Sequence, residues 1–200
     1  MKNLWYGDAR DVVKWSALLF LAHKYDLSRI LQVAYLRDNA SKLSVEAGSE
    51  SVDQDVIKEI IEHFSKDIRQ INKLKDSKRV VVEVFDEPFS DKNRRSYTQQ
   101  IVEKVSSPKY IRALVFLDPD TGIAGKSSSD AHVTLADIRA IWGALARGNW
   151  LVVYQHAWHT GDPFGKQRAD FKRVVSPAQV MTLKSLDSAK DMVLFAACRP

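Results

Sequence analysis

The sequence predicts a three-layer α/β fold with a mainly parallel sheet and an antiparallel hairpin at its C-terminal end. Two observations predict it. Short apolar, β-rich runs alternate along the chain with longer segments of helical periodicity, the pattern of strand–helix–strand units. Several runs are apolar at consecutive positions, Leu114-Val115-Phe116-Leu117 most plainly, which suits strands covered on both faces. Right-handed crossovers then gather the polar residues that follow these strands on one edge of the sheet.

The elements follow in order. Residues 11–23 form a helix with Val12, Trp15, Ala17, Leu18, Leu19 and Ala22 on a broad apolar side. Residues 30–36 form a strand that stops at the polar turn Arg37-Asp38-Asn39, and the small, acidic stretch 40–51 reads as a loop. Residues 53–74 carry the clearest helical signal, because Val56, Ile57, Ile60, Ile61, Phe64, Ile68 and Ile71 recur at helical spacing. The β-branched run 79–85 is a strand ending in Asp86-Glu87-Pro88, and 91–105 is a helix capped by Ser90 or Asp91. The next strand must stop at Asp118, since Pro119 has no N–H to offer a ladder. A Gly/Ser-rich loop over 121–130 leads to a helix over 135–146, which Thr134 caps and Gly148 ends. A buried strand over 150–154, a loop over 160–166, a short helix over 167–175 and strands at 180–183 and 192–197 complete the chain.

Two hundred residues suffice for one full core, so a single α/β domain over 1–200 is expected. No apolar run approaches the roughly 18 residues of a transmembrane helix. The single cysteine, Cys198, excludes an internal disulfide and a multi-cysteine metal site, and the cytoplasm is the expected compartment. A net charge of +5 permits phosphate-rich partners such as nucleic acid without deciding for them, because acidic residues are spread among the basic ones. The basic groups concentrate at Lys92, Arg94 and Arg95 and at Lys166, Arg168, Lys172 and Arg173, where a solvated face accounts for them equally well.

Four polar strand ends carry the candidate chemistry: Arg37-Asp38-Asn39, Asp86-Glu87, Asp118-Pro119-Asp120 and Gln155-His156. Open α/β sheets bind ligands beyond the carboxyl ends of their strands, which makes Asp118 and Asp120 the first candidates. The bland alternative is an acidic turn, for which Asp-Pro-Asp-Thr-Gly is good chemistry. Asp8, Asp11 and Lys14 share one helix face, where Lys14 suits a phosphate or carboxylate. Equally, Asp8 caps that helix and Asp11 complements its positive end. Alternation sends Gln155 and His156 to opposite sides of the sheet, and His156 is placed as a polar contact or general base near neutral pH. With His159 it is also spaced to bind a metal beside Asp118 or Asp120, though a lone histidine is more often structural. Glu83 lies inside an apolar strand and needs either a partner or an exposed edge. Glu83, Asp86, Asp118 and Asp120 compose an alternative Mg²⁺ set for a nuclease or phosphodiesterase, although no Glu-x-Lys follows on the next strand. Trp142, Trp150 and Trp158 read as packing residues. In the loop over 160–166, Phe164, with Lys166 and Arg168 just beyond it, is placed to meet a base or phosphate, or else belongs to an ordinary surface loop.

Three motifs carry a resemblance. Gly7-Asp8-Ala9-Arg10-Asp11-Val12-Val13-Lys14-Trp15, then Phe116-Leu117-Asp118-Pro119-Asp120-Thr121-Gly122, then Val153-Tyr154-Gln155-His156 resemble, in order, the motifs of a bacterial family of uncharacterised small proteins. More distantly, the first two are similar to segments of the methyltransferases that modify adenine N6 in large-subunit ribosomal RNA. That likeness implies a methyltransferase-like (Rossmann-like) sheet, S-adenosylmethionine as cofactor and nucleic acid as acceptor. It also implies that Asp8, Asp11, Lys14 and Asp38 line the cofactor side, with Asp118 at the acceptor and Asp120 and His156 assisting. The chain departs from the pattern twice. Asp120-Thr121 stands where those enzymes have Pro-Tyr, which removes the aromatic platform for a flipped base. The first strand ends in Arg37-Asp38-Asn39 with no Gly-x-Gly turn, and a lone Arg37 there fits the methionine pocket itself. The resemblance therefore implies either a transferase or a degenerate relative, with a non-catalytic nucleic-acid-binding module as a further alternative.

Overall fold

A computed structural model describes residues 9–37, 80–157, 162–185 and 189–200 of the chain. The expected loop over 40–51 and helix over 53–74 lie outside the described residues, as do Asp8, Asp38, Trp158 and His159.

The chain opens with α1 (Ala9–Lys24), whose stripe of Trp15, Leu18, Leu19, Leu21 and Ala22 is buried. β1 (Arg29–Val33) and β2 (Val81–Phe85) follow. A 3₁₀ turn, Asp91–Asn93, then leads into α2 (Arg94–Val105), so the predicted helix is entered one tight turn late. The Asn93 side chain accepts from Ser90 N at 2.9 Å, which closes the capping box that Ser90 begins. β3 (Ala113–Leu117) is buried at every position, as its unbroken apolar run requires. The loop behind it holds a small parallel ribbon, β4 (Gly122–Ile123) with β5 (His132–Val133). α3 (Leu135–Ala144) starts at the Thr134 cap, whose side chain accepts from Asp137 N at 3.2 Å. This helix ends two residues earlier than its periodicity suggests, because Leu145 turns to extended backbone ahead of Gly148. β6 (Trp150–His156), α4 (Gly165–Val175), β7 (Val180–Leu183) and β8 (Met192–Cys198) complete the fold.

Among the described residues, six strands form one sheet in the order β2-β1-β3-β6-β8-β7. The first four are mutually parallel, and β8 runs antiparallel between β6 and β7. The expected C-terminal hairpin is therefore present, with its second strand on the inside. That placement corrects the end of β6. Gln155 and His156 belong to the strand rather than following it, because β8 supplies Val193 and Met192 as their partners.

Each face of the sheet has its own core. On one, α1 covers Ile30, Val82, Val84, Leu114, Phe116, Val152 and Leu194. On the other, α2, α3 and α4 cover Leu31, Val33, Val115, Leu117, Leu151, Val153 and Phe195. Trp142 and Trp150 are buried in these cores, the packing role their setting suggested. No helix among the described residues is long and apolar enough to cross a membrane.

Candidate functional site

The parallel strands direct their carboxyl ends to one edge, and the start of α1 meets that edge beside β3. The first turns of α1 place Asp11 and Lys14 on its inward side, ahead of the apolar stripe that anchors the helix. Lys14 Nζ lies 3.0 Å from Asp11 Oδ1 and 2.9 Å from Asp118 Oδ1. It also stands 4.4 Å from the centre of the Tyr154 ring, a cation–π contact at the end of β6. Gln32 of β1 donates to Asp118 Oδ2 at 2.8 Å, and Asp118 N donates to Val33 O at 3.0 Å. Asp118 is 1% exposed and Lys14 6%, so this ion pair and its hydrogen bonds are sealed from water. Burial would depress the Lys14 ammonium, but Asp11 and Asp118 outweigh it and hold its pKa well above the usual lysine range.

Between β1 and β3 the strand order reverses, and here an open sheet offers its ligand crevice. The residues beyond β1 fill that place. Tyr35 takes a left-handed backbone, φ 47°, and its ring is buried 4.8 Å from Phe89 and 5.3 Å from Tyr97. Leu36 continues alongside Pro88 in a parallel bridge, and Arg37 crosses to form an ion pair with Asp120. On the other side of the turn, Gln155 holds the Thr121–Gly122 segment against β6. Its Oε1 accepts from Ile123 N at 2.9 Å, and its Nε2 donates to Thr121 O at 3.1 Å. Gly122 is required by this arrangement. Its φ is 107°, and a Cβ there would fall 2.6 Å from Gln155 Oε1.

A second group of polar side chains flanks the first. The Tyr154 hydroxyl lies 3.4 Å from His156 Nδ1, which lies 3.9 Å from Asp191 Oδ2. Arg10 of α1 grips Asp191 through Nε at 3.2 Å from each carboxylate oxygen, and that contact holds the Asp191 carboxyl below its usual range. Burial pushes the Tyr154 phenol up to about 12, against the opposing pull of Lys14.

Of the residues picked from the sequence, Asp11, Lys14 and Asp118 meet directly, and Tyr154 links them to His156. Asp120 is turned to Arg37 instead. Asp8 and Asp38 lie outside the described residues. The acidic set suggested for Mg²⁺ does not assemble. Glu83 is on the opposite face of the sheet from Asp118, paired with Arg29 at 3.2 Å and Lys109 at 3.0 Å and also with Lys104. Alternation along β2 fixes that face. Burial would raise the Glu83 carboxyl, but Lys104 and Lys109 hold it down at about 2. Among the described residues, no three His, Cys, Asp or Glu side chains come together as a metal site. Gln32, Arg10 and Asp191 were missed from sequence. Gln32 alone left a signal, as a polar side chain inside a strand buried on both faces. Arg10 and Asp191 are 181 residues apart and only the fold joins them.

Fold and edge together define an open, doubly wound α/β protein with an antiparallel C-terminal pair and a latched switch point. Three solved structures are similar to it at 12% sequence identity. A proposed methyltransferase from Thermobifida fusca YX is matched over 95% of this chain and 79% of its own, with a TM-score of 0.45. A DUF574 family protein from Streptomyces avermitilis MA-4680 is matched over 96% and 82%, with a TM-score of 0.47. The S-adenosylmethionine-dependent methyltransferase SibL in its apo form is matched over 96% and 57%, with a TM-score of 0.41. Likeness at this level does not define the fold; the strand order and directions do. No protein-family model matches the chain, and no curated protein does.

A nucleotide-bearing cofactor at a switch point needs the backbone turn after β1 to come close to it, which glycine permits. Here that turn carries a buried tyrosine and an arginine bound to the facing carboxylate. The described part of that turn therefore offers no glycine for such an approach, and Asp8 and Asp38 lie outside the described residues.

Proposed function

We propose that this chain is a nucleic-acid-binding protein on a methyltransferase-like scaffold, with the S-adenosylmethionine crevice closed by its own side chains. The observation that carries the reading is the Arg37–Asp120 pair across the switch point, beside an Asp118 already engaged by Lys14 and Gln32. A carboxylate sealed in this way has no oxygen turned to an acceptor amine. Support for nucleic acid comes from the net charge of +5 and from α4, which carries Lys166, Arg168, Lys172 and Arg173 against a single acidic residue, Asp170.

A second reading, methyl transfer with S-adenosylmethionine as cofactor, keeps one specific observation in its favour. Asp118 stands immediately beyond β3, where the resembling rRNA methyltransferases hold the target amine, and Asp120 and His156 lie along the same edge.

Thermal melting with S-adenosylmethionine, S-adenosylhomocysteine, Mg²⁺ and a single-stranded oligonucleotide in parallel separates the two. A ligand at 100 times its dissociation constant stabilises by about 2.7 kcal/mol, several degrees for a chain of this size. The first reading expects a shift with the oligonucleotide and none with either adenosyl compound. It also expects Arg37→Ala, which opens the latch, to leave the fold intact. An adenosyl shift in the unmodified protein overturns the closed crevice and makes methyl transfer the reading to test, with Asp118→Ala as the inactive control.

A further inference from the structure

Away from the Asp118 network, a cleft of about 570 Å³ lies between the start of α4 and the β7–β8 hairpin. Its size is that of a ligand site. Arg168 of α4, Lys184 beyond β7 and Lys190 before β8 reach it from three separate elements, with Phe164 and Thr182 between them. Two neighbouring cations on α4, Lys166 and Arg173, each pair with Asp170 at 2.9 Å. Arg168, Lys184 and Lys190 have no ion-pair partner among the described residues, although all three are exposed and converge on one cleft. The one carboxylate in the lining, Asp162, is turned to the backbone, its Oδ1 accepting from Phe164 N at 3.2 Å and Gly165 N at 2.9 Å. The Phe164 and Gly165 amides are thus already satisfied. The charge available to a ligand is the three side-chain cations.

We propose that this cleft holds consecutive phosphate groups of a single-stranded nucleic acid. The inference rests on the nucleic-acid reading above and gives it a place. A groove of unpaired cations that follows a backbone is how single strands are held without base readout. Val193 in its lining pairs with Gln155 of β6, and Lys190 precedes Asp191, which meets His156. The cleft therefore borders the end of the β6–β8 pair, on the face opposite the His156 side chain.

The test is fluorescence anisotropy of a labelled single-stranded 12-mer across a salt series, with the full chain, with Arg168→Gln/Lys184→Gln/Lys190→Gln, and with Lys92→Gln/Arg95→Gln/Arg139→Gln. The second triple removes equal charge from exposed positions outside the cleft. Each phosphate contact on a single strand contributes about 0.7 to the slope of log K against log salt. The cleft triple should lower that slope by about 2 and weaken binding at least tenfold at low salt, while the control triple changes it far less. Equal losses in the two triples overturn the cleft and leave the nucleic-acid reading standing. Binding of tripolyphosphate that the cleft triple abolishes, without oligonucleotide binding, overturns the nucleic-acid reading and makes the cleft a small-phosphate site. Binding of neither overturns both.

Discussion

Lys14 is held between two carboxylates where water does not reach, and the energetics of such a residue are asymmetric. Replacing every partner by apolar groups of similar shape is often neutral, whereas removing one leaves uncompensated buried charge. Lys14→Met should therefore cost about 3–5 kcal/mol, a fall in Tm of roughly 6–20 °C for a domain of this size. Lys14→Met/Asp118→Leu should recover part of that loss, and a thermal-melt cycle of the two substitutions measures the coupling. Glu83 gives the pH dependence. Its carboxyl is held at about 2 against an ordinary value of 4.5, so its contribution is complete above pH 4.5 and fades as pH falls toward 2. Urea unfolding should show Glu83→Gln less stable than the parent at pH 6, with the gap closing as the pH is lowered through that window. Gly122→Ala should destabilise more than an ordinary glycine substitution, because it meets both a strained backbone and the Gln155 amide.

At the scale of elements, α4 combines two duties on opposite sides. Its inward residues Phe171, Val174 and Val175 are buried, and the Phe171 ring stacks on Phe195 of β8 at 6.0 Å between centres. Phe171→Ala should cost about 3–5 kcal/mol, read by denaturant midpoint, and should loosen the cleft that the same helix borders. α3 depends instead on its entry. Thr134 and Asp137 cap each other, and Asp137 is further tied to Arg94 at 2.8 Å and Thr98 at 3.0 Å of α2. Thr134→Ala should cost about 1 kcal/mol. The length of β6 follows from its neighbour: with β8 alongside over its whole course, Gln155 and His156 become strand residues with fixed and opposite faces.

At the scale of the molecule, the edge of the sheet divides into a closed part and an open part. At the β1–β3 switch point, Arg37 and Asp120 pair across the place where an α/β sheet usually takes its ligand. Beyond β6, the cleft beside α4 stays open and positively charged. A protein with this division should respond to salt and to oligonucleotides before it responds to an adenosyl compound, and the melting and anisotropy experiments read those responses separately.

The sequence by itself determined the alternation of strands and helices and the double burial of β3. It also determined the end of that strand before Pro119, the cap at Thr134, and the antiparallel C-terminal pair. These follow from local periodicity, from proline's missing N–H and from side-chain capping, all of which act over a few residues. It also marked Asp11 and Lys14, which share one helix face, and Asp118, which follows a buried strand, as candidates. Only the tertiary structure decided who those partners were. That Lys14 is shared between Asp11 and Asp118, that Gln32 completes the group, that Arg37 latches Asp120 and that Glu83 belongs to the far face all depend on strand order and register. Those are set by the packing of both cores at once, across separations that no local pattern records.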